Sequence, residues 1–293
     1  MTTNNTAVEA TAAEPDWSAW LGRSESRGEL VSANTAAALA ATLDIDPPPG
    51  AGDPLPPGWH WIFFNPFVPR SGIGPDGHPK RGGFLPPITL PRRMWAGSRI
   101  AYPGTLIVGA EAIKTSVISK IQSKSGRAGN LVFVTVTHTT SSGGSDCIVE
   151  EQDIVYREPP QAGAPAPALT PAPTDAAWSE EVTPDPVLLF RFSALTANGH
   201  RIHYDQPYAK NEEGYPDLVV HGPLTATLLQ NFAVAHAEGR RLSQFEFRGV
   251  HPLFVSAPFK LEGRMESGDR MNLWARGPSG ELAMQASATL APR

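Results

Sequence analysis

Two short stretches decide how this chain is read: Thr196-Ala197-Asn198-Gly199-His200-Arg201-Ile202-His203-Tyr204-Asp205, and a little further on Leu218-Val219-Val220-His221-Gly222-Pro223. The second stretch runs straight into an apolar segment, residues 224–238, in which Leu224, Leu228, Phe232 and Ala235 recur at helical spacing. Pro223 suits the first helical position and Gly239 suits the end. Before the histidines, residues 187–192 form a short apolar run bounded by proline, which predicts a buried strand. After the helix come four strand-like runs, at 245–255, 259–265, 271–275 and 281–290. The last alternates, with Leu282, Met284, Ala286, Ala288 and Leu290 on one face. One long apolar helix beside an antiparallel sheet is an α+β arrangement.

Upstream, residues 159–186 hold eight prolines and seven alanines. Proline fixes φ and withholds an amide donor, so this stretch is expected to be an extended linker. It divides a first half, 17–158, from a second, 187–293, behind a disordered leader at 1–16. In the first half, 131–138 and 148–157 are strand-like, and 106–121 reads as a strand with a bend. Residues 65–91 are crowded with glycine and proline and predict a long irregular loop. Aromatic residues around it, Trp59, Trp61, Phe63, Phe64, Phe67 and Phe84, argue for order.

Composition narrows the function. Lysine and arginine number 24 against 29 acidic residues, a net charge of −5 with no basic run, so the electrostatic term for nucleic-acid binding is missing. Cys147 is the only cysteine, which rules out an internal disulfide and a thiolate-built zinc site. No stretch approaches the roughly 20 apolar residues that span a bilayer. The leader has no lysine or arginine, so neither a signal peptide nor a presequence is expected, and the protein is read as cytoplasmic.

The two opening stretches combine chemistry. A helix start has unpaired N–H groups and a positive dipole end, and Gly222 lets a ligand atom approach its backbone. Such a turn can stabilise a developing oxyanion. Histidine is the usual proton-transfer group near neutral pH. Ser193 and Cys147 have no sequence context that would make either a nucleophile.

Phe190-Arg191-Phe192-Ser193 through Asn198, His203, Tyr204, Asp205 and Tyr208-Ala209 resembles the hydratase-2 motif of MaoC-like enoyl-CoA hydratases. Val219-Val220-His221-Gly222, at the head of a helix, resembles that family too. In the first half, Trp59-His60-Trp61, Phe63-Phe64-Asn65-Pro66, Gly82-Gly83-Phe84-Leu85-Pro86-Pro87 and Leu90-Pro91-Arg92-Arg93-Met94-Trp95-Ala96-Gly97 look like a two-domain subgroup. That subgroup includes mesaconyl-C4-CoA and itaconyl-CoA hydratases and the mitochondrial 3-hydroxyacyl-thioester dehydratases.

The resemblance implies a double hotdog, each half a long central helix wrapped by a curved antiparallel sheet. It implies a hydro-lyase acting on a CoA thioester, with neither cofactor nor metal. By position, His203 matches the catalytic histidine and Gly222 the oxyanion donor. The family's aspartate position is Asn198 here, and an amide cannot take a proton at neutral pH; it can only orient water or substrate. Either His203 acts alone as base, or a carboxylate such as Asp205 or Asp76 helps. His200 is a second candidate for proton transfer. Arg92 and Arg93 suit CoA phosphates or a free acid, and Trp95, Tyr204 and His221 complete the candidate substrate-binding set. A zinc held by His200, His203 and His221 is the metal alternative. A 3-hydroxyacyl-thioester dehydratase of fatty-acid or polyketide metabolism, or a non-catalytic acyl-thioester-binding hotdog, are the alternatives for function. Hotdog proteins often pair through their sheets, so a homodimer is expected by analogy.

Overall fold

The structure, a computed structural model, describes residues 16–126, 129–158 and 168–292. Nearly all of the expected leader, and residues 159–167 of the proline-rich segment, lie outside the described residues.

Ten antiparallel strands form one continuous sheet. The first half supplies β1 (Ser24–Leu30), β2 (Arg92–Ala101), β3 (Glu111–Gly126), β4 (Gly129–Ser142) and β5 (Ser145–Arg157). The second supplies β6 (Trp178–Val182), β7 (Leu242–Gly249), β8 (Phe259–Ser267), β9 (Arg270–Arg276) and β10 (Leu282–Leu290). Their order is β1-β3-β4-β5-β2-β7-β10-β9-β8-β6. Read from either edge, the order of one half mirrors that of the other, so the halves are two copies of one architecture joined at β2 and β7. This is the double hotdog that the resemblance implies. Gly97 sits at the seam, where a Cβ would come within 2.2 Å of the Phe247 carbonyl oxygen.

The helices break the symmetry. In the second half, α4 (Gly222–Ala235) buries Leu224, Leu229, Phe232 and Ala233 in a core shared with Leu261, Leu273, Ala275, Met284, Ala286 and Ala288 of its sheet. Each large side chain so buried contributes about 1.5–3 kcal/mol. At the corresponding place in the first half, between α1 (Ala33–Thr42) and β2, there is irregular chain with two short 3-10 turns, at Trp59–Ile62 and Arg70–Gly72, of which the first bears on α4. Residues 46–91 contain eight prolines between 47 and 69 and five more between 75 and 91, and proline cannot continue a helix. The ten-residue α1 packs instead on α2 (Pro186–Leu195) and on the first of those turns. The turn docks onto α4: Gly58 at its start has φ 82° and leaves no room for a Cβ beside the Gln230 side chain. Trp59 Nε1 donates to Asn231 Oδ1 at 3.1 Å.

Three sequence expectations are corrected. The run at 187–192 is not a strand but part of α2, because Asp185 caps it by accepting from the Leu188 N–H at 2.8 Å and Pro186 occupies the first turn. Leu189 and Phe192 then face inward while Val187 and Phe190 are exposed. The strand expected at 106–121 starts only at Glu111; Leu106 and Val108 are buried in the turn before it, bonded to the 53–55 segment. Within the proline-rich segment, Trp178–Val182 is β6, paired with β8 rather than running free.

Candidate active site

The start of α4 is open. Gly222 is its first residue, its N–H has no partner among the described residues, and a Cβ built there meets nothing within 4 Å. His221, which precedes it, is fully buried and its Nε2 lies 2.7 Å from Ser193 Oγ on α2. The His203 ring stacks on His221, centroids 3.6 Å apart and 17° from parallel. Its Nδ1 is 2.7 Å from the Val219 carbonyl oxygen. A carbonyl can only accept, so Nδ1 carries the proton and Nε2 is left as an unprotonated acceptor with no partner among the described residues. The loop before α4 thus fixes both the tautomer of His203, through Val219, and its stacking on His221, the residue before Gly222.

Burial favours the neutral imidazole. It lowers His203 to about 4, against the opposing hydrogen bond to Val219. It lowers His200 to about 3, helped by the positive charges of His78, His203 and Arg93. His221 is pushed well below its ordinary value by burial and its two histidine neighbours.

Asn198 follows Ala197, which takes a left-handed φ of 50°. Its Oδ1 accepts the His200 N–H at 3.0 Å, an Asx turn. Asn198 lines a cavity of about 210 Å³.

The irregular loop of the first half reaches this segment. Gly77 and Gly199 touch so closely that a Cβ at Gly77, where φ is 91°, would lie 1.8 Å from the Gly199 oxygen. Arg201 clamps the contact: its N–H donates to the Asp76 carbonyl at 2.9 Å and its guanidinium to the Pro75 carbonyl at 3.1 Å. The loop thereby sets the His78 ring 4.1 Å from the His200 ring, with Asp76 Oδ2 3.1 Å from His78 Nδ1. Burial works to raise the Asp76 pKa, yet the hydrogen bonds and charge of His78 and the charge of His200 outweigh it and hold the carboxylate below its usual range. Of the two carboxylates the sequence offered, Asp76 is in the cluster. Asp205 is committed elsewhere, capping α3 (Gln206–Asn211) and pairing with Arg201 at 2.8 Å.

Other candidates are placed as follows. Trp95 lines the cavity and donates from Nε1 to Gly97 O and Ser98 Oγ, both at 3.0 Å. Tyr204 is 47% exposed and donates its hydroxyl to Gly199 O, on the outer side of the loop. Arg92 donates to the Glu213 carbonyl at 3.2 Å, and the charge of Arg93 reaches Tyr156 and His200. The three imidazoles once considered for zinc do not present a ligand set, since His203 Nδ1 is bonded to a carbonyl and its ring is stacked on His221. Asp76, His78 and His200 do bring ligand atoms within 4.8 Å of one another, although Asp76 and His78 already bond each other.

Sequence reasoning missed a polar group in the first half. With no long helix over it, the inner face of β3, β4 and β5 bears Lys114, Ser116, His138, Thr140, Glu150 and Gln152, and most of these line the same cavity as Asn198 and Pro223. Glu150 is buried and accepts from Ser98 Oγ at 2.6 Å and Trp61 Nε1 at 3.0 Å, with His60 Nε2 at 3.2 Å. Burial would raise this carboxyl, but His60, His138 and Ser98 together bring it down to about 2. The alternation of polar residues along three strands was the available signal.

Among the described residues no helix is long and apolar enough to cross a membrane. The family model for hydroxyacyl-thioester dehydratase type 2 matches residues 58–255. Mesaconyl-C(4)-CoA hydratase of Chloroflexus aurantiacus is 52% identical over 281 residues, covering 94% of this chain and 98% of that one. A solved MaoC-like dehydratase superposes with a TM-score of 0.71 at 15% identity, covering 94% of this chain and 99% of that one. A Mycobacterium tuberculosis protein with a double hotdog fold superposes with a TM-score of 0.52 at 15% identity, covering 92% and 96%. The helix start, the buried histidine beside it and the extent of these matches agree, and the chain belongs to the hydroxyacyl-thioester dehydratase type 2 family.

Proposed function

We propose that this protein reversibly hydrates an enoyl-CoA thioester, with a branched C5 dicarboxylic acyl group as in mesaconyl-C4-CoA, giving citramalyl-CoA. The observation that carries the reading is the unprotonated Nε2 of buried His203, whose ring stacks on His221, the residue immediately before the unpaired Gly222 N–H, in a chain half identical to a mesaconyl-C(4)-CoA hydratase.

The Gly222 N–H, at the positive end of α4, donates a hydrogen bond to the thioester oxygen as it gains enolate charge. His203 Nε2 takes a proton from water while the water oxygen bonds to the β-carbon. The enolate then collapses, and the α-carbon takes the proton back from His203. Burial keeps both His203 and His200 in the neutral form, and of the two it is His203 whose Nε2 is left as a free acceptor by the bond to Val219. His200, with His78 and Asp76 behind it, serves as a neighbouring site that can share the proton. Asn198, its oxygen already engaged, offers N–H donors that hold the water or substrate oxygen.

Cavity size favours a short acyl group. A dry cavity of about 150 Å³ holds benzene, so about 210 Å³ accommodates a five-carbon branched unit. The polar lining favours a polar one. Arg92 and Arg93 are proposed as contacts to the CoA phosphates. Cytoplasmic location and a homodimer belong to the same reading, the homodimer supported by the habit of hotdogs to pair through their sheets.

The test is to mix purified protein with mesaconyl-C4-CoA and follow loss of the enoyl-thioester absorbance. Turnover is expected, and His203→Ala should lower kcat by about 100-fold or more with the fold intact. Absence of turnover with any enoyl-CoA would favour a binding protein, and full activity in His203→Ala would remove that residue from the mechanism.

A further inference from the structure

The floor of the acyl cavity contains a cation that the reaction scheme leaves unused. Lys114, on β3, points into the space between the first-half sheet and Asn198 and also lines the adjoining cavity beneath Phe64 and Phe84. It is partly buried, and its ammonium makes no hydrogen bond and no ion pair within 4 Å among the described residues. Among the described residues the ammonium lies 5.6 Å from the centroid of the Phe64 ring. Burial lowers its pKa, partly offset by the more distant charges of Glu150, Glu25 and Glu29.

The surrounding groups are satisfied without it. Glu150 is covered by Ser98, Trp61 and His60. His138 is bonded on both ring nitrogens, to Ser116 Oγ at 2.8 Å and Gln152 Oε1 at 3.0 Å. A partly buried cation without a partner costs free energy, and that cost is recovered only when an anion enters. The cavity it faces is the one that Asn198 and Pro223 border from the catalytic side.

We infer that the Lys114 ammonium receives the free carboxylate of a dicarboxylic acyl-CoA and so selects this substrate class over unsubstituted enoyl-CoAs. The inference rests on the hydratase reading above and names a residue for its specificity. The carboxylate comes to rest between Lys114 and the Thr140–His138 rim, while Glu150, in the same cavity, stays held by Ser98, Trp61 and His60.

The measurement is the ratio of kcat/KM for mesaconyl-C4-CoA to that for crotonyl-CoA, which lacks the second acid. The wild type should favour the dicarboxylic substrate, and K114M should reduce the ratio about 100-fold, the scale of one charge-assisted contact in a sheltered site. K114R, which keeps the charge, should stay within about tenfold of the wild type. A ratio unaltered in K114M, whether both substrates lose activity together or neither does, overturns the inference, as does an equal loss in K114R. Without any variant, succinyl-CoA should inhibit the wild type more tightly than butyryl-CoA by about tenfold or more; equal inhibition also overturns it. A wild type that hydrates neither substrate refutes the hydratase reading itself and this inference with it, whereas an active wild type with an unaltered ratio in K114M refutes the inference alone.

Discussion

Acidification from about pH 7.5 to about pH 5 should destabilise this protein through its buried imidazoles, well before its carboxylates matter. An unfolded histidine titrates near 6.5. In the fold, burial brings His203 to about 4 and His200 to about 3. The unfolded chain therefore binds more protons between those values, and stability falls as the pH drops through that window. At about pH 5 an unfolded imidazole is nearly all protonated and the folded one nearly all neutral. Each residue then costs about 2 kcal/mol, and the pair about 4 kcal/mol, against almost nothing at about pH 7.5. His221 and His138, both lowered by burial, act in the same direction. Glu150, held at about 2 against an ordinary value of 4.5, is stabilising above that ordinary value and begins to lose the contribution only below it. Urea unfolding at the two pH values measures the loss. His200→Gln should shrink it by about 2 kcal/mol, because one titrating site is gone. Equal stability at both pH values, or an undiminished loss in His200→Gln, would refute the claim that these rings are buried in the neutral form. Because the same burial keeps His203 unprotonated, the acid limb of kcat/KM should lie near pH 4 and not near 6.5.

Two further substitutions probe how the site is assembled. Asn198→Asp should keep turnover within about tenfold of the wild type or raise it, since one carboxylate oxygen can still accept the His200 N–H while the other becomes a base facing the cavity; complete loss of turnover in a kcat measurement would show that the amide donors themselves are required. Gly77→Ala places a Cβ 1.8 Å from the Gly199 oxygen at a φ of 91°, so it should cost about 2 kcal/mol in chemical unfolding and lower kcat by drawing Asp76 and His78 away from His200; an unaltered kcat would exclude those two residues from the proton chemistry.

Much of the second half was legible because its signals are local. Leu224, Leu228, Phe232 and Ala235 announce α4, Pro223 and Gly239 bracket it, and the alternation from Leu282 to Leu290 announces β10. The run at 187–192 was misread because a short apolar segment fits strand and helix equally. Asp185-Pro186, a cap followed by an N-terminal proline, was the arbiter. The alanine-rich α1 was overlooked, although Ala36, Leu39 and Ala40 mark its inner face. His78 could not have been found locally: it joins His200 only because Gly77 meets Gly199 across the two halves. Lys114, His138 and Glu150 were missed for a different reason. Their strands were expected, but not that the inward face would be left uncovered by any helix.

That uncovered face explains why two copies of one architecture serve one site. A sheet kept only for stability would carry apolar residues inward, as the second half does with Leu261, Leu273, Ala275, Met284 and Ala286 beneath α4. The first half places Lys114, His138 and Glu150 at its inner face instead, and each charged or polar group there costs free energy unless it finds partners. Glu150 has found three and His138 two. In the proposed reaction, the second half keeps its helix because its start supplies the exposed N–H of Gly222. The first half gives up the equivalent helix because the acyl group needs the room. The prolines of 46–91 enforce that loss, and the chain they free is the same chain that carries Asp76 and His78 to His200. A single structural change, the absent helix, therefore accounts for both the cavity and the loop that closes on the catalytic segment.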